Sequence, residues 1–256
     1  MELSEKETDI LMKQCLNIGE AMYQAGGEIR RIEDTLRRIG KAYGAIHMNV
    51  YAITSSILVT MEFENRPTVT QSRRIIRPDS MDLHRLEQLN RLSRRISAEP
   101  LPVEALRSEV LAILNEKPKS GPVLLGMVLA AGFFAIFFGG TLWEALIAGL
   151  VSAGIWVLNR ALHPLCSGRV FFHFVTALLS GLMVCLACRL LPFLQFSVIM
   201  IADIMVLIPG IAITNSLRYT ISGDTISGFE KLIDSVLVAC AIAAGISLAI
   251  FLLGRV

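Results

Sequence analysis

The chain has 256 residues, of which 54% are hydrophobic and 18% are charged, and its formal net charge is +2. The high apolar content is typical of a membrane protein, and a near-neutral charge gives no general attraction to nucleic acid. The five cysteines have neither the spacing of a zinc site nor that of a disulfide framework. Composition therefore favours a membrane protein, and we expect no nucleic acid, metal or cofactor among its ligands.

Charge is distributed unevenly along the chain. Most charged residues lie before residue 118, and long apolar runs fill the remainder. We predict a cytoplasmic α+β domain over residues 1–118, followed by a transmembrane domain over residues 119–256. Residues 1–20 are charged and amphipathic, which predicts that no signal peptide is present and that the N-terminus stays in the cytoplasm.

Helical spacing of apolar residues predicts two helices before residue 44. Ser4 and Glu7 have the spacing of a capping box at the start of the first helix. Pro78-Asp79-Ser80 is expected to cap a third helix, and a fourth follows Pro102. Residues 117–120 form the expected hinge into the transmembrane domain.

A small three-stranded sheet is predicted between these helix pairs. The pattern there is rich in β-branched residues and nearly alternates, in residues 46–53, 56–63 and 68–76. Residues 64–67 have the composition of a turn, so the last two strands should form a hairpin.

Five apolar segments follow, and a span needs roughly 17 to 25 mainly apolar residues. We predict a five-helix transmembrane bundle with spans at about 122–138, 142–159, 170–191, 196–215 and 232–253. A tight turn at residues 139–141 joins the first two. Basic residues in the short loops predict that the odd-numbered spans run outward, which places the C-terminus outside.

The fourth span carries both a charge and a helix breaker. Asp203 lies in an apolar run, and an acid at membrane depth is a functional-site hypothesis by default. Pro209, followed by Gly210, deprives the Met205 carbonyl of its helical hydrogen bond. A half-helix starting at Pro209 would offer N–H groups to a carboxylate, and Asp203 with the Met205 carbonyl would suit an ammonium group or a proton. The alternatives are a packing kink and a structural bond from Asp203 to a neighbouring helix.

Two further polar residues are candidates for the pathway of solute or protons. Glu144, at the outer end of the second span, has either an entrance role or an ordinary interfacial one. Asn215 either caps the broken helix or contacts solute. Small residues four apart allow close packing within the subunit or with another subunit in a higher oligomer, at Gly126/Ala130, Gly149/Ala153 and Ala241/Gly245/Ala249.

Several short motifs, taken in order, resemble the threonine/serine exporter family in its split, two-subunit form. In the soluble part they are Ala25-Gly26-Gly27, then Arg30, Arg31 and Glu33, then Thr54-Ser55-Ser56. In the membrane part they are Phe138-Gly139-Gly140 with Glu144, then Leu207-Ile208-Pro209-Gly210 with Asn215, then Ser227-Gly228. The resemblance covers nearly the whole chain, although Glu144 stands where the family is expected to have aspartate.

This resemblance implies a proton-driven secondary exporter, not an enzyme, in the bacterial cytoplasmic membrane, with threonine and serine as typical solutes. Fused members carry a second set of spans. The chain is therefore expected to be the N-terminal-half subunit, whose partner is a separate small multi-span membrane subunit. Some split members export dicarboxylates such as succinate, which is the alternative solute.

Two other classes of protein stay open at this point. One is a membrane-anchored ligand-sensing or regulatory protein whose soluble domain would work on an unrelated anchor. The other is a membrane-bound hydrolase using Thr54-Ser55-Ser56, which has no histidine or acid at a telling spacing.

Overall fold

The computed structural model describes residues 3–64, 66–75, 82–116, 121–162 and 168–253. The chain divides into two compact units, Met1–Pro118 and Lys119–Val256. The predicted cap at Pro78-Asp79-Ser80, the hinge at 117–120 and one residue of the turn at 64–67 lie outside the described residues.

In the part of the first unit that the structure describes, four helices combine with a small three-stranded sheet, and the prediction of this sheet is confirmed. The sheet is an antiparallel meander in the order β1-β2-β3. The helices are α1 (Glu5–Gln24), α2 (Ile29–Ala42), α3 (Leu83–Ala98) and α4 (Val103–Asn115), and the strands are β1 (His47–Ile53), β2 (Ser56–Glu62) and β3 (Val69–Arg74).

Local signals define the ends of these helices. Ser4 and Glu7 form the predicted capping box, because each side chain binds the other residue's backbone N–H. Gly26, just past α1, and Gly44, just past α2, adopt φ values of 89° and 88°, which few other residues tolerate. The cap of α3 is Asp82, whose carboxylate accepts from the Arg85 N–H at 3.0 Å, so the placement of this cap at residues 78–80 was wrong.

One face of the sheet packs against helices to form the core of this unit. Val50, Val59 and Met61 are buried there, as is Cys15 of α1. Burial raises the pKa of the Cys15 thiol to about 12, so this cysteine is a neutral packing residue and not a nucleophile.

Side chains of α2 cover the outer edge of β1. Glu33 accepts a hydrogen bond from the Ala52 N–H at 3.0 Å, and Arg37 donates to the Val50 carbonyl at 3.2 Å. Arg37 also pairs with Glu33 at 3.0 Å. Uncovered edges invite further strand pairing, so this ion pair closes one side of the sheet.

The second unit consists of apolar helices. They are α5 (Gly121–Phe137), α6 (Leu142–Leu162), α7 (Arg169–Leu190), α8 (Phe196–Leu207), α9 (Gly210–Ile221) and α10 (Thr225–Leu253). Three of the described helices, α6, α7 and α10, are long and apolar enough to cross a membrane, and α8 with α9 would make a fourth, bent span. At 17 residues, α5 is about 26 Å long, slightly short of a bilayer core. The structure thus supports a membrane protein, but the number of five spans is not confirmed.

The last helix begins seven residues earlier than the predicted start at 232. Thr225 is its first residue, and the Asp224 carboxylate accepts from the Ser227 N–H at 3.2 Å, as an N-terminal cap does. The sequence prediction followed the apolar run and missed this polar first turn.

Close packing of α7 on α10 depends on glycine. A Cβ atom at Gly245 would lie 2.6 Å from the Phe174 carbonyl oxygen, and one at Gly181 would lie 2.8 Å from the Ala249 Cβ. The predicted small-residue pair at Gly245 and Ala249 therefore packs within the subunit. By contrast, a Cβ at Gly126 would meet no atom within 4 Å.

We expect Gly245→Ala to lower the free energy of unfolding by about 1–3 kcal/mol, because the new methyl group meets backbone atoms that cannot move independently. Gly126→Ala is the matched control. It adds the same methyl group to an open helix surface and should leave stability unchanged or slightly raised. Thermal unfolding of the purified protein in detergent measures both, and equal melting temperatures would contradict this packing.

Candidate functional site

The helix breaks where Pro209 predicts. The Ile208 N–H donates to the Ile204 carbonyl at 3.0 Å, which ends α8, and α9 then begins with Pro209 as its N-cap residue. The axes of α8 and α9 differ by 49°. Because proline has no N–H, the Met205 carbonyl receives no helical hydrogen bond from position 209.

The start of α9 leaves donors available. The Gly210 N–H donates to the Ile208 carbonyl at 2.8 Å, and the Ile213 N–H donates to the Pro209 carbonyl at 3.1 Å. Within the described residues, the intervening N–H groups of Ile211 and Ala212 have no hydrogen-bond acceptor, and no side chain caps the helix. Such an end suits an anion.

Asn215 lies in the middle of α9, partly exposed. The expectation that it caps the broken helix was wrong, because the cap position belongs to Pro209. A contact between Asn215 and solute stays a prediction.

Asp203 is fully buried in the second unit. Its exposed fraction is 0%, and neither carboxylate oxygen has a hydrogen-bond partner among the described residues. Ser180 of α7 is a polar side chain near the Asp203 carboxylate, but its hydroxyl donates a hydrogen bond to the Ala177 carbonyl at 3.1 Å. A buried charge is expensive unless it is paired, so this carboxyl group needs a proton or a bound cation.

No cationic side chain among the described residues pairs with Asp203. In the part of the second unit that the structure describes, the cationic side chains lie near helix ends, at Arg160, Arg169, Arg189, Arg218 and Lys231. Asp203 lies in the interior of α8, which packs against α5, α6 and α7.

An apolar groove of about 340 Å³ lies beside the break. Ile204 and Ile208 of α8 form one wall, and the face of α10 from Ala239 to Ser247 forms the other. Asp203 does not line this groove. Asp203 and the helix break are therefore close in sequence, but this groove is not a cavity that they share.

The other groups predicted to bind solute with Asp203 are the start of α9 and the Met205 carbonyl. Asp203 precedes Ile211 by eight residues, about 12 Å along a helix. Met205 is two residues from Asp203, which turns it to the opposite side of α8, where 39% of it is exposed. A shared contact of one amino acid with the Asp203 carboxylate and the start of α9 stays a prediction.

Glu144 is also buried, at 2% exposed, but it is fully hydrogen-bonded. Its carboxylate accepts from the Thr141 N–H at 2.8 Å, from the Thr141 hydroxyl, and from the Gln195 N–H at 3.1 Å. It therefore joins the N-terminal ends of α6 and α8. Sequence reasoning missed Thr141 and Gln195, although Thr-x-x-Glu is the spacing of a capping box. A pathway role for Glu144 stays a prediction.

Apolar helices, a helix broken inside the bundle and a buried, unpaired acid are together features of a membrane transport protein. A family model described as "Putative threonine/serine exporter" matches residues 13–253. The chain belongs to the threonine/serine exporter family.

Two curated relatives are similar over most of this chain. A probable threonine/serine exporter of Mycobacterium tuberculosis is 25% identical over 253 residues, which cover 95% of this chain and 46% of the relative. The threonine/serine exporter of Corynebacterium glutamicum is 25% identical over 249 residues, or 94% of this chain and 50% of the relative. The chain thus spans about half the length of these relatives. No solved structure gives a significant match.

We expect Glu144→Ala to lower the free energy of unfolding by about 2–3 kcal/mol, because it removes a charged acceptor and leaves two backbone N–H groups without a partner. Asp234→Ala is the control. Asp234 pairs with Arg169 at 2.7 Å, but both side chains are about half exposed, so its loss should cost less than about 1 kcal/mol. Thermal unfolding in detergent separates the two cases, and equal losses would contradict the role given to Glu144.

Proposed function

We propose that this chain is a subunit of a secondary exporter that moves small amino acids, of the threonine/serine type, across the bacterial cytoplasmic membrane with proton coupling. Membership of the exporter family supports the class of solute. The observation that supports coupling is the Asp203 carboxylate, buried and without a hydrogen-bond partner among the described residues.

Asp203 is the proton site in this proposal. An isolated carboxylate is stable in an apolar bundle only when a proton or a cation neutralises it. Deprotonation therefore requires that water, or the solute's ammonium group, reach Asp203. Such a requirement links the movement of a proton to a change in the packing of α8.

The start of α9 is the proposed contact for the solute carboxylate. The N–H groups of Ile211 and Ala212 point out of a helix end that carries partial positive charge. An amino acid has one carboxylate, which this end can accept. A dicarboxylate has a second, and the described cationic side chains that could neutralise it lie near helix ends, away from Asp203. We therefore favour an amino acid over succinate.

The proposed transporter contains more than this chain. The curated relatives are about twice as long as the region they share with it. We propose that a second membrane subunit supplies the counterpart of the remaining half. The distribution of basic residues supports a cytoplasmic N-terminus and an outward C-terminus.

Asp203→Asn keeps the size of the side chain but removes the titrating group. We expect it to abolish threonine efflux driven by a proton gradient while exchange of labelled for unlabelled threonine persists, because exchange needs no net proton movement. Asp234→Asn, at the exposed ion pair with Arg169, is the control and should keep both activities. Assays in cells that express the complete transporter measure both rates. Unchanged proton-driven efflux in Asp203→Asn would remove Asp203 from the mechanism.

A further inference from the structure

The two outer edges of the sheet in the first unit differ. Glu33 and Arg37 cover the edge of β1 through Ala52 and Val50. The opposite edge belongs to β3. Within the described residues, no backbone or side-chain group hydrogen-bonds to the outward-facing backbone of Val69–Arg74.

The register identifies which groups face outward. The Ile75 N–H donates to the Ser55 carbonyl at 2.8 Å. Hydrogen-bonded pairs alternate along an antiparallel ladder, so Arg73, Gln71 and Val69 bond to β2. The N–H and C=O groups of Thr70, Ser72 and Arg74 therefore point away from the sheet. The same alternation makes Met48, Val50 and Ala52 the outward residues of β1, and the α2 side chains bind at Val50 and Ala52.

The exposure of the outward residues agrees with an open edge. The side chains of Thr70, Ser72 and Arg74 are exposed. Arg73 points to the opposite face, where it donates to Asn17 and pairs with Glu20 at 3.3 Å. Gln71 points there too and donates to Asp9 at 2.9 Å. These bonds hold β3 on α1 and leave its outer backbone open to another strand.

We propose that two copies of this chain pair through β3, antiparallel about a two-fold axis at Ser72. Outward residues must face outward residues, and the register that pairs all three places Ser72 opposite Ser72 of the second copy and Thr70 opposite Arg74. Three such pairs form about six backbone hydrogen bonds and join two three-stranded sheets into one. An isologous contact of this kind closes as a dimer and leaves no further edge of the same type.

The charges of β3 do not oppose pairing with its own copy in this register. Each Arg74 lies opposite a threonine, and the two Arg74 residues are about 13 Å apart along the strands, beyond the screening length at physiological salt. Glu20 neutralises Arg73 within each copy. A parallel pairing would bring like charges together, whereas the antiparallel pairing separates them. This inference rests on the sheet alone and is independent of the proposed transport function.

A disulfide tests the pairing directly. Ser72→Cys would place two thiols on residues whose Cα atoms are about 5.5 Å apart, within the range of a disulfide. Leu58→Cys is the matched control. Leu58 pairs with Ser72 across β2 and β3 and is also exposed, but its Cα would lie about 15 Å from its counterpart.

We expect oxidation in native membranes to convert most of the Ser72→Cys protein to a disulfide-linked dimer. Leu58→Cys should give no more dimer than the unchanged chain, whose native cysteines set the baseline. Equal yields from the two variants would overturn the proposal. A Ser72→Cys adduct with a different protein would also overturn it, because the edge would then belong to another partner.

Proline gives a second, independent test. The Ser72 N–H faces outward, so Ser72→Pro should preserve the fold, whereas Gln71→Pro removes an N–H that bonds to β2 and should destabilise the unit. We expect the Thr70 and Arg74 amides to resist hydrogen exchange in the unchanged protein and to lose that protection in Ser72→Pro. Rapid exchange of both amides in the unchanged protein would contradict strand pairing.

Discussion

A carboxyl group without a hydrogen-bond partner lies inside the apolar helical bundle and limits how α8 can pack. Asp203 has no exposed surface, and neither of its oxygens is hydrogen-bonded within the described residues. Its ionised form is expensive there, so the packed state of α8 and the protonation of Asp203 depend on each other. The break at Pro209, six residues further along, supplies a point at which α8 can move relative to α9. This combination is the physical basis of the proton coupling that we propose.

The two buried acids of the second unit, Glu144 and Asp203, have different surroundings. Glu144 accepts hydrogen bonds from Thr141 and Gln195 and fixes the start of α8 against the start of α6. Asp203 lies about 12 Å further along α8 and is held by packing alone. One acid therefore anchors the helix, whereas the other makes no such bond among the described residues. A carboxylate that already has three donors is poorly suited to bind a proton or an ammonium group.

Much of this architecture could be predicted from the sequence, because the deciding signals are local. Pro209 ends a helix by its covalent structure, and the Ser4 and Glu7 spacing defines a cap without tertiary help. The hydrogen bond from the Gln195 N–H to Glu144 could not be predicted, since the two residues lie at the starts of different helices. The same limit applies to Asp203 and the start of α9. Adjacency in sequence suggested one shared pocket, but the packing of α8 against other helices decides which of its side chains line a cavity, and Asp203 does not line the groove beside the break.

Infrared difference spectroscopy of the complete transporter, recorded with and without threonine, would detect a change in the protonation of Asp203. We expect threonine to change the carbonyl band of a protonated carboxylic acid, and we expect this change to be absent from Asp203→Asn. A spectrum in which threonine alters no carboxyl band, or alters the same band in both proteins, would contradict the role of Asp203 as the proton site.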